Sequence, residues 1–463
     1  MSGRYDFDFV AIGGGSGGYN GARVAAAHGL RTAVIDGARP LSGLCILRGC
    51  MPSKTLLYSA AVLHRAQQGR KFGLRIPVAK ADFAAVQARK RRIIGEFAAD
   101  RVKSLTSGKF ELIREPAHFV DPHTVELAGG RRVTSRFFLI ATGSVPNVPD
   151  IPGLAAARAW TSDEALDAAV RPQSLIVLGG GLVGVELAQY FARMGTSVAI
   201  VQRGPQLLRG HSPESAEVVA AALREEGVGL YCGAALERVD WKRRGFEVVF
   251  KQGTRRLRLR AGRCLNALGR HAATSRLNLA AAGVTAGDDG QIDINRHQQT
   301  SVPHIYAAGD CSGPVEIVHI AVQQGELAAR HAAKVKPLHP IDYGLLINVV
   351  FTDPQLATIG PSAAKLKEDQ VPCVSASYPF DDHGKSILME AKRGYVKIWA
   401  HAENGRILAA EIVGPDAGEL IHLFTGPMAM KATVHDLLRA PYYHPTLSEI
   451  ITYPLEEIAG KLS

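Results

Sequence analysis

Apolar positions along this chain gather into short runs that end on glycine and then give way to stretches of helical composition. Phe7-Asp-Phe-Val-Ala-Ile12 is strand-like, Gly13-Gly-Gly15-Ser-Gly-Gly18 follows, and an alanine-rich stretch continues to His28. Gly29 ends that helix, and Thr32-Ala-Val-Ile-Asp36 is a second strand. A short apolar strand, a glycine turn, a helix and another strand predict a βαβ unit in a parallel sheet. The pattern then repeats. Ser174-Leu-Ile-Val-Leu178 is a strand, Gly179-Gly-Gly181-Leu-Val-Gly184 a glycine turn, 186–194 a helix and Ser197-Val-Ala-Ile-Val201 the next strand. Phe137-Phe-Leu-Ile-Ala-Thr142-Gly143 and Thr300-Ser-Val-Pro-His-Ile-Tyr-Ala-Ala-Gly309-Asp310 predict two more buried strands that stop at glycine. From about residue 344 onward strands dominate (347–351, 394–399, 407–413), with helices between and after.

Both glycine turns read G-x-G-x-x-G at the first turn of a βαβ unit. Glycine there allows a tight turn and lets backbone N–H groups approach a pyrophosphate, while an acid ending the second strand binds a ribose hydroxyl. Asp36 is that acid in the first unit. The second unit ends its strand in Gln202-Arg203, so it tolerates or favours the 2′-phosphate of NADP over the free hydroxyl of NAD. Two such units in one chain imply an internal duplication that carries two different nucleotides. Val145-Pro-Asn-Val-Pro-Asp-Ile-Pro152 is proline-rich and marks a boundary. Arg263-Cys-Leu-Asn-Ala-Leu-Gly269-Arg270 closes the second unit. The expected domains are 1–150, 151–271, 272–343 as a return to the first, and 344–463 for assembly.

The chain has 463 residues, 46% apolar and 21% charged, which is the composition of a soluble globular protein of about three domains. No apolar run reaches the roughly 20 residues that a membrane span needs, and the start of the chain has no secretory leader. Six cysteines, four of them unpatterned, do not make a secreted disulfide framework. The expected compartment is the cytoplasm. A net charge of +11 fits acidic partners, a nucleotide phosphate or plain solubility. Arg255-Arg-Leu-Arg-Leu-Arg260 and Ala88-Arg-Lys-Arg-Arg92 read as solvated basic faces, with no aromatic interleaving or motif for nucleic acid.

Reactive chemistry concentrates in Gly43-Leu-Cys45-Ile-Leu-Arg-Gly-Cys50-Met-Pro-Ser-Lys54. Pro52 fits the first turn of a helix, so Cys50 falls at a helix N-terminus, where the dipole favours a thiolate. Arg48 and Lys54 add positive charge. A low-pKa thiol with a partner five positions before it suits reversible disulfide exchange. On spacing alone, a packed and reduced pair fits equally well, whereas a zinc site lacks a second ligand pair. His444-Pro-Thr-Leu-Ser-Glu449 offers a histidine that proline holds extended. Glu449 reads either as the acid of an S/T-x-x-E capping box with Thr446 or as a hydrogen-bond acceptor that fixes the imidazole of an acid–base.

With these motifs in order over essentially its whole length, the chain resembles the flavin-dependent pyridine nucleotide–disulfide oxidoreductases of the glutathione reductase and dihydrolipoamide dehydrogenase type. The resemblance implies an α/β fold: two Rossmann-like dinucleotide-binding domains, for FAD and NAD(P), plus a C-terminal α+β dimerisation domain. It implies that FAD lies against Gly13, Gly15, Gly18, Asp36, Gly43, Lys54, Ala117, Thr142, Gly143, Gly309, Asp310 and His319. NADPH or NADH would lie against Gly179, Gly181, Gly184, Gln202, Arg203 and Gly269. Cys45 would be the interchange thiol, Cys50 the thiol against the flavin, and Lys54 and Glu186 an ion pair beside the isoalloxazine. His444 and Glu449 would form an acid–base dyad that serves the other subunit of a homodimer.

The chain departs from the family pattern at Ser42, Leu44, Leu47 and Arg48, with two polar groups lost near the flavin. Leu182 stands where a side chain often gates the nicotinamide. Glu326 follows Gly325 where glutathione reductases carry an arginine, and His319-Ile-Ala-Val-Gln-Gln-Gly325 looks more like dihydrolipoamide dehydrogenase. The chain has no C-terminal cysteine pair of the kind used by mercuric reductases and larger thioredoxin reductases. The expected substrate is a small disulfide or an acidic lipoyl carrier. The alternatives are NADPH-dependent reduction of another disulfide, flavin-dependent reduction of quinones or metal ions, and a docking subunit for a lipoyl carrier. Nucleic acid and membrane partners are not expected, nor is a metal.

Overall fold

The structure, a computed structural model, describes residues 5–462. Residues 1–4, on which the reading of a leaderless start rests, lie outside it. The described chain divides into two compact units. One holds residues up to 55, 87–147 and 268–341, and the other holds 56–86, 148–267 and 342 onward.

In the first unit β1 (Phe7–Ile12) runs through the glycine turn into α1 (Ser16–Ala27) and returns as β2 (Thr32–Ile35). α2 (Gly43–Arg48) and α3 (Cys50–Gln67) follow, then α4 (Phe83–Leu105). Strands β3 (Glu111–Ile113), β4 (Ala117–Asp121), β5 (Thr124–Leu127) and β6 (Arg132–Ile140) complete the run, and β7 (Ser144–Pro146) closes it. The sheet order is β3-β2-β1-β6-β5-β4. β3, β2, β1 and β6 are parallel, in the register Ile12–Ile35 and Ile12–Ile140. β1 and β2 read almost entirely apolar because both faces of a parallel sheet are covered. On α4 the basic run is only partly solvated: Arg89, Arg91 and Arg92 are exposed, but Lys90 is buried.

The second glycine turn repeats the construction. β8 (Ser174–Leu178) leads through α5 (Leu182–Arg193) into β9 (Ser197–Gln202), and with β10 (Gly229–Cys232) and β14 (Arg263–Asn266) these strands form a parallel sheet in the order β10-β9-β8-β14. β11 (Ala234–Lys242), β12 (Gly245–Gln252) and β13 (Arg255–Ala261) insert as an antiparallel meander. On β13 the arginine face is exposed but laced with acids, Arg256 to Glu237 and Arg260 to Glu247. Leu56, Leu57 and Ala60, at the middle of α3, share a buried core with Val185 and Tyr190 of this unit.

The chain then returns to the first unit. β15 (Arg270–Ala272) pairs with β7, and β16 (Ile305–Ala307) adds to β6 in parallel. α6 (Val318–Ala332) packs against α1 through glycines. A Cβ on Gly325 would stand 2.1 Å from the Gly17 carbonyl oxygen, so only glycine permits this approach. The C-terminal segment is a five-stranded antiparallel sheet, β17 (Ile347–Val350), β18 (Gln355–Ile359), β19 (Cys373–Pro379), β20 (Tyr395–His401) and β21 (Ile407–Gly414), in the order β17-β18-β21-β20-β19. Helices after it bury Ile450, Ile451, Leu455 and Ile458 against Val396 and Ile412. Among the described residues no helix is long and apolar enough to cross a membrane.

Candidate active site

Cys45 lies on the short helix α2, and Cys50 is the first residue of α3. Gly49 joins them because a Cβ there would press on Leu44 and Cys45 at 3.2 and 3.3 Å. Both cysteines are half-buried. The neighbouring Cys50 and burial push the Cys45 thiol far above the ordinary thiol range. Cys50 stands at the helix N-terminus, where the dipole favours a thiolate. Arg101 of α4 faces the pair as a nearby positive charge on Cys45. Its guanidinium sits 4.3 Å over the Tyr19 ring, burial holds its pKa down, and its buried Nη1 has no hydrogen-bond partner among the described residues. Lys54 is half-buried one turn beyond Cys50 on α3. In the other unit Glu186 of α5 is buried and accepts the Phe351 N–H at 2.9 Å.

The two glycine turns are built alike. Gly14 N–H donates to Asp36 Oδ2 at 2.9 Å, and Gly180 N–H donates to Gln202 Oε1 at 2.9 Å. Gln202 thus does for the second turn what Asp36 does for the first, without the charge; Arg203 beside it is exposed. Gly13 and Gly179 hold φ of +108° and +99°, and a Cβ on Gly18 or Gly184 would collide with their carbonyls at 1.8 and 2.1 Å. By contrast a Cβ on Gly181 would meet nothing, and one on Gly15 only Gly43 Cα at 4.0 Å. The third face of each cradle is open to a phosphate, so the residues present fit the nucleotide cofactors. Gly13, Asp36, Thr142-Gly143 and Gly309-Asp310 follow the carboxyl ends of the parallel strands β1, β2, β6 and β16, where such sheets take ligands.

Three residues that no motif flags tie down this end of the first unit. Ser144 donates to Asp310 Oδ2 at 2.6 Å, Arg270 Nε donates to Ser144 Oγ at 2.8 Å, and Gln324 accepts the Gly309 N–H at 2.6 Å. Gly43 (φ +77°) would bring a Cβ to 2.7 Å from Gly15 Cα. Ala117 opens β4 opposite Leu127, and His319 is the second residue of α6. Gly269 belongs to the first unit, where its carbonyl accepts the Asn147 N–H.

In the C-terminal segment His444 Nδ1 lies 3.1 Å from both oxygens of Glu449. A carboxylate only accepts, so Nδ1 carries the proton and Nε2 is left to act as a base. The histidine side chain is 77% exposed, the glutamate 11%. The capping box is only half made. Glu449 Oε1 accepts the Thr446 N–H at 3.3 Å, but the buried Thr446 hydroxyl has no partner among the described residues, and the helical turn begins later, at Ser448.

Residues 7–325 match the family described as pyridine nucleotide-disulphide oxidoreductase, and 347–454 match that family's dimerisation domain. The chain belongs to this family. It is similar to a mercuric reductase of Bacillus cereus, 34% identical over 448 residues that cover 95% of this chain and 70% of that one. It is also similar to a dihydrolipoyl dehydrogenase of Bacillus subtilis (strain 168), 31% identical over 464 residues, 97% and 98% of the two chains. Among solved structures, the HOCl-induced flavoprotein disulfide reductase RclA of Escherichia coli superposes with a TM-score of 0.86. It is 25% identical, with 97% of this chain and 99% of that one covered.

As a member of this oxidoreductase family the protein is an FAD-dependent enzyme that uses NAD(P)H. FAD, when bound, exchanges electrons between the nicotinamide and a disulfide. The chain's two glycine turns leave open cradles for the two nucleotides, and its cysteine pair stands at the start of α3. Arg101, Ser144, Arg270 and Gln324 escaped sequence reading because each acts through a contact distant in sequence. Only the helical period of α4 could have turned Arg101 toward α1, and period does not say which basic residue is used.

Proposed function

We propose that the protein passes electrons from NAD(P)H through its flavin to the Cys45–Cys50 pair and on to a small disulfide, in the manner of dihydrolipoamide dehydrogenase, as a homodimer. The observation that carries this reading is the placement of the two cysteines on either side of Gly49, with Cys50 as the first residue of α3, where the helix dipole favours a thiolate. The Cys45 thiol exchanges with substrate, and Cys50 is the charged sulfur beside the flavin. Lys54 and Glu186 serve the flavin, the residues of the first cradle hold FAD, and those of the second hold the nicotinamide nucleotide. The His444 base takes the proton of the partner's Cys45 as that sulfur attacks the substrate disulfide and returns it to the leaving thiolate. Gln202 in the place of an acid favours NADPH. Glu326 does not exclude an anionic substrate by itself, because Arg23 and Arg330 pair with it at 2.6 and 3.1 Å.

A second reading, reduction of a metal ion, is supported by the mercuric reductases among the relatives. Steady-state assays with lipoamide, glutathione disulfide, a quinone and Hg(II), each with NADH and NADPH, separate the two. Lipoamide turnover that disappears in Cys45→Ser is the expected result. Hg(II) reduction with no disulfide turnover would contradict it.

A further inference from the structure

His383 lies directly before a short helix (Gly384–Leu388) and is completely buried. Its Nδ1 is 2.8 Å from the Ser386 hydroxyl. Its Nε2 is buried, has no hydrogen-bond partner among the described residues, and points to Glu449 Oε1 at 3.6 Å. The Tyr453 ring packs edge-on against it at 6.3 Å and stacks on Tyr378. Glu449 is thus held between two imidazoles, an exposed one at 3.1 Å and a buried one at 3.6 Å.

Burial lowers the pKa of His383, so the ring is neutral and carries one N–H. A carboxylate can only accept, whereas a serine hydroxyl can donate. The proton therefore sits on Nε2, facing Glu449 Oε1 across 3.6 Å, with Ser386 donating to Nδ1. We propose that His383 is a positioning residue for the dyad: its Nε2–H holds Glu449 from the buried side, so that the carboxylate stays turned toward His444 Nδ1. This rests on the reading of His444 and Glu449 as the acid–base pair. Without the buried donor, Glu449 keeps only the Thr446 N–H and the exposed imidazole, and can swing to water. His444 then loses the acceptor that fixes its tautomer, as when any outer partner of a catalytic histidine is removed.

Two variants of similar size separate donation from filling. His383→Gln keeps an N–H donor, and His383→Leu fills the site without one. In rapid-mixing experiments on the FAD-loaded enzyme, NADPH should reduce the flavin at the wild-type rate in both. Reoxidation by lipoamide should slow about tenfold in His383→Leu, the usual effect of losing an outer-sphere partner, and stay within about threefold in His383→Gln. Leu as fast as wild type, or Gln as slow as Leu, would overturn the proposal. The 15N spectrum of histidine-labelled enzyme, with the His383 signal assigned by its loss in His383→Gln, should show the Nε2–H tautomer. An Nδ1–H tautomer would also overturn the proposal. If His383→Leu does not fold, Ser386→Ala takes its place, with mixed tautomers and slowed reoxidation expected and an unchanged spectrum and rate contradicting. His444→Ala with unimpaired lipoamide turnover would instead refute the dyad, while the tautomer spectrum still decides whether His383 donates to Glu449.

Discussion

Cys45 and Cys50 show how far a local pattern reaches. Their spacing and the helix start were legible in the sequence, because Pro52 and the run after it announce α3. The crowding of Cys45 by Cys50 was not, since it depends on how α2 folds back over Gly49. In Cys45→Ser the disulfide cannot form, so Cys50 stays free at the helix N-terminus, where the dipole favours its thiolate. The oxidised variant should then show long-wavelength absorbance from a thiolate beside flavin, and Cys50→Ser should not. Identical spectra would contradict the division of roles. Gln202 gives a second test. Replacing it with Glu keeps the acceptor for Gly180 N–H but puts charge where a 2′-phosphate would lie. NADPH should lose something on the order of 1–3 kcal/mol in kcat/KM relative to NADH. A wild type that uses NADH at least tenfold better would show that the uncharged strand end does not select the nucleotide.

Elements were read more securely than the contacts between them. Both glycine turns, their strands and their helices lie where periodicity puts them, because a parallel strand buried on two faces leaves an unbroken apolar run. The joining of β16 to β6 and the glycine-to-glycine packing of α1 on α6 were invisible, since the partners stand about 170 and about 310 positions apart. Lys90 is the counter-example on a helix: composition said solvated, and tertiary packing buried it. Gly325→Ala tests the helix contact. The added methyl would stand 2.1 Å from the Gly17 carbonyl, so the helices must part. Overpacking of this kind costs about 1–3 kcal/mol, and α1 carries the first cradle. The variant should melt at lower temperature and release FAD more readily on dilution, followed by flavin fluorescence. Unchanged melting and retention would mean that the helices accommodate the methyl.

At the level of the whole molecule, the proposed function draws two nucleotide cradles, a redox pair and an acid–base pair from separate segments of one chain. The family's dimerisation domain spans 347–454, and His444 within it is 77% exposed beside the exposed Tyr443. An acid–base at the surface of a dimerisation domain has work to do only if another chain comes to it, which a two-fold dimer provides twice. His444→Ala should lower disulfide turnover by about 10²–10⁴, the worth of a positioned acid–base, while leaving flavin reduction by NADPH intact. The most direct test mixes inactive Cys45→Ser and His444→Ala chains and lets the subunits exchange. Each mixed dimer then contains one whole site, with Cys45 from one chain and His444 from the other. Disulfide reductase activity should return in proportion to the mixed dimers. Exchange verified by tagged subunits, with no activity recovered, would contradict the shared site.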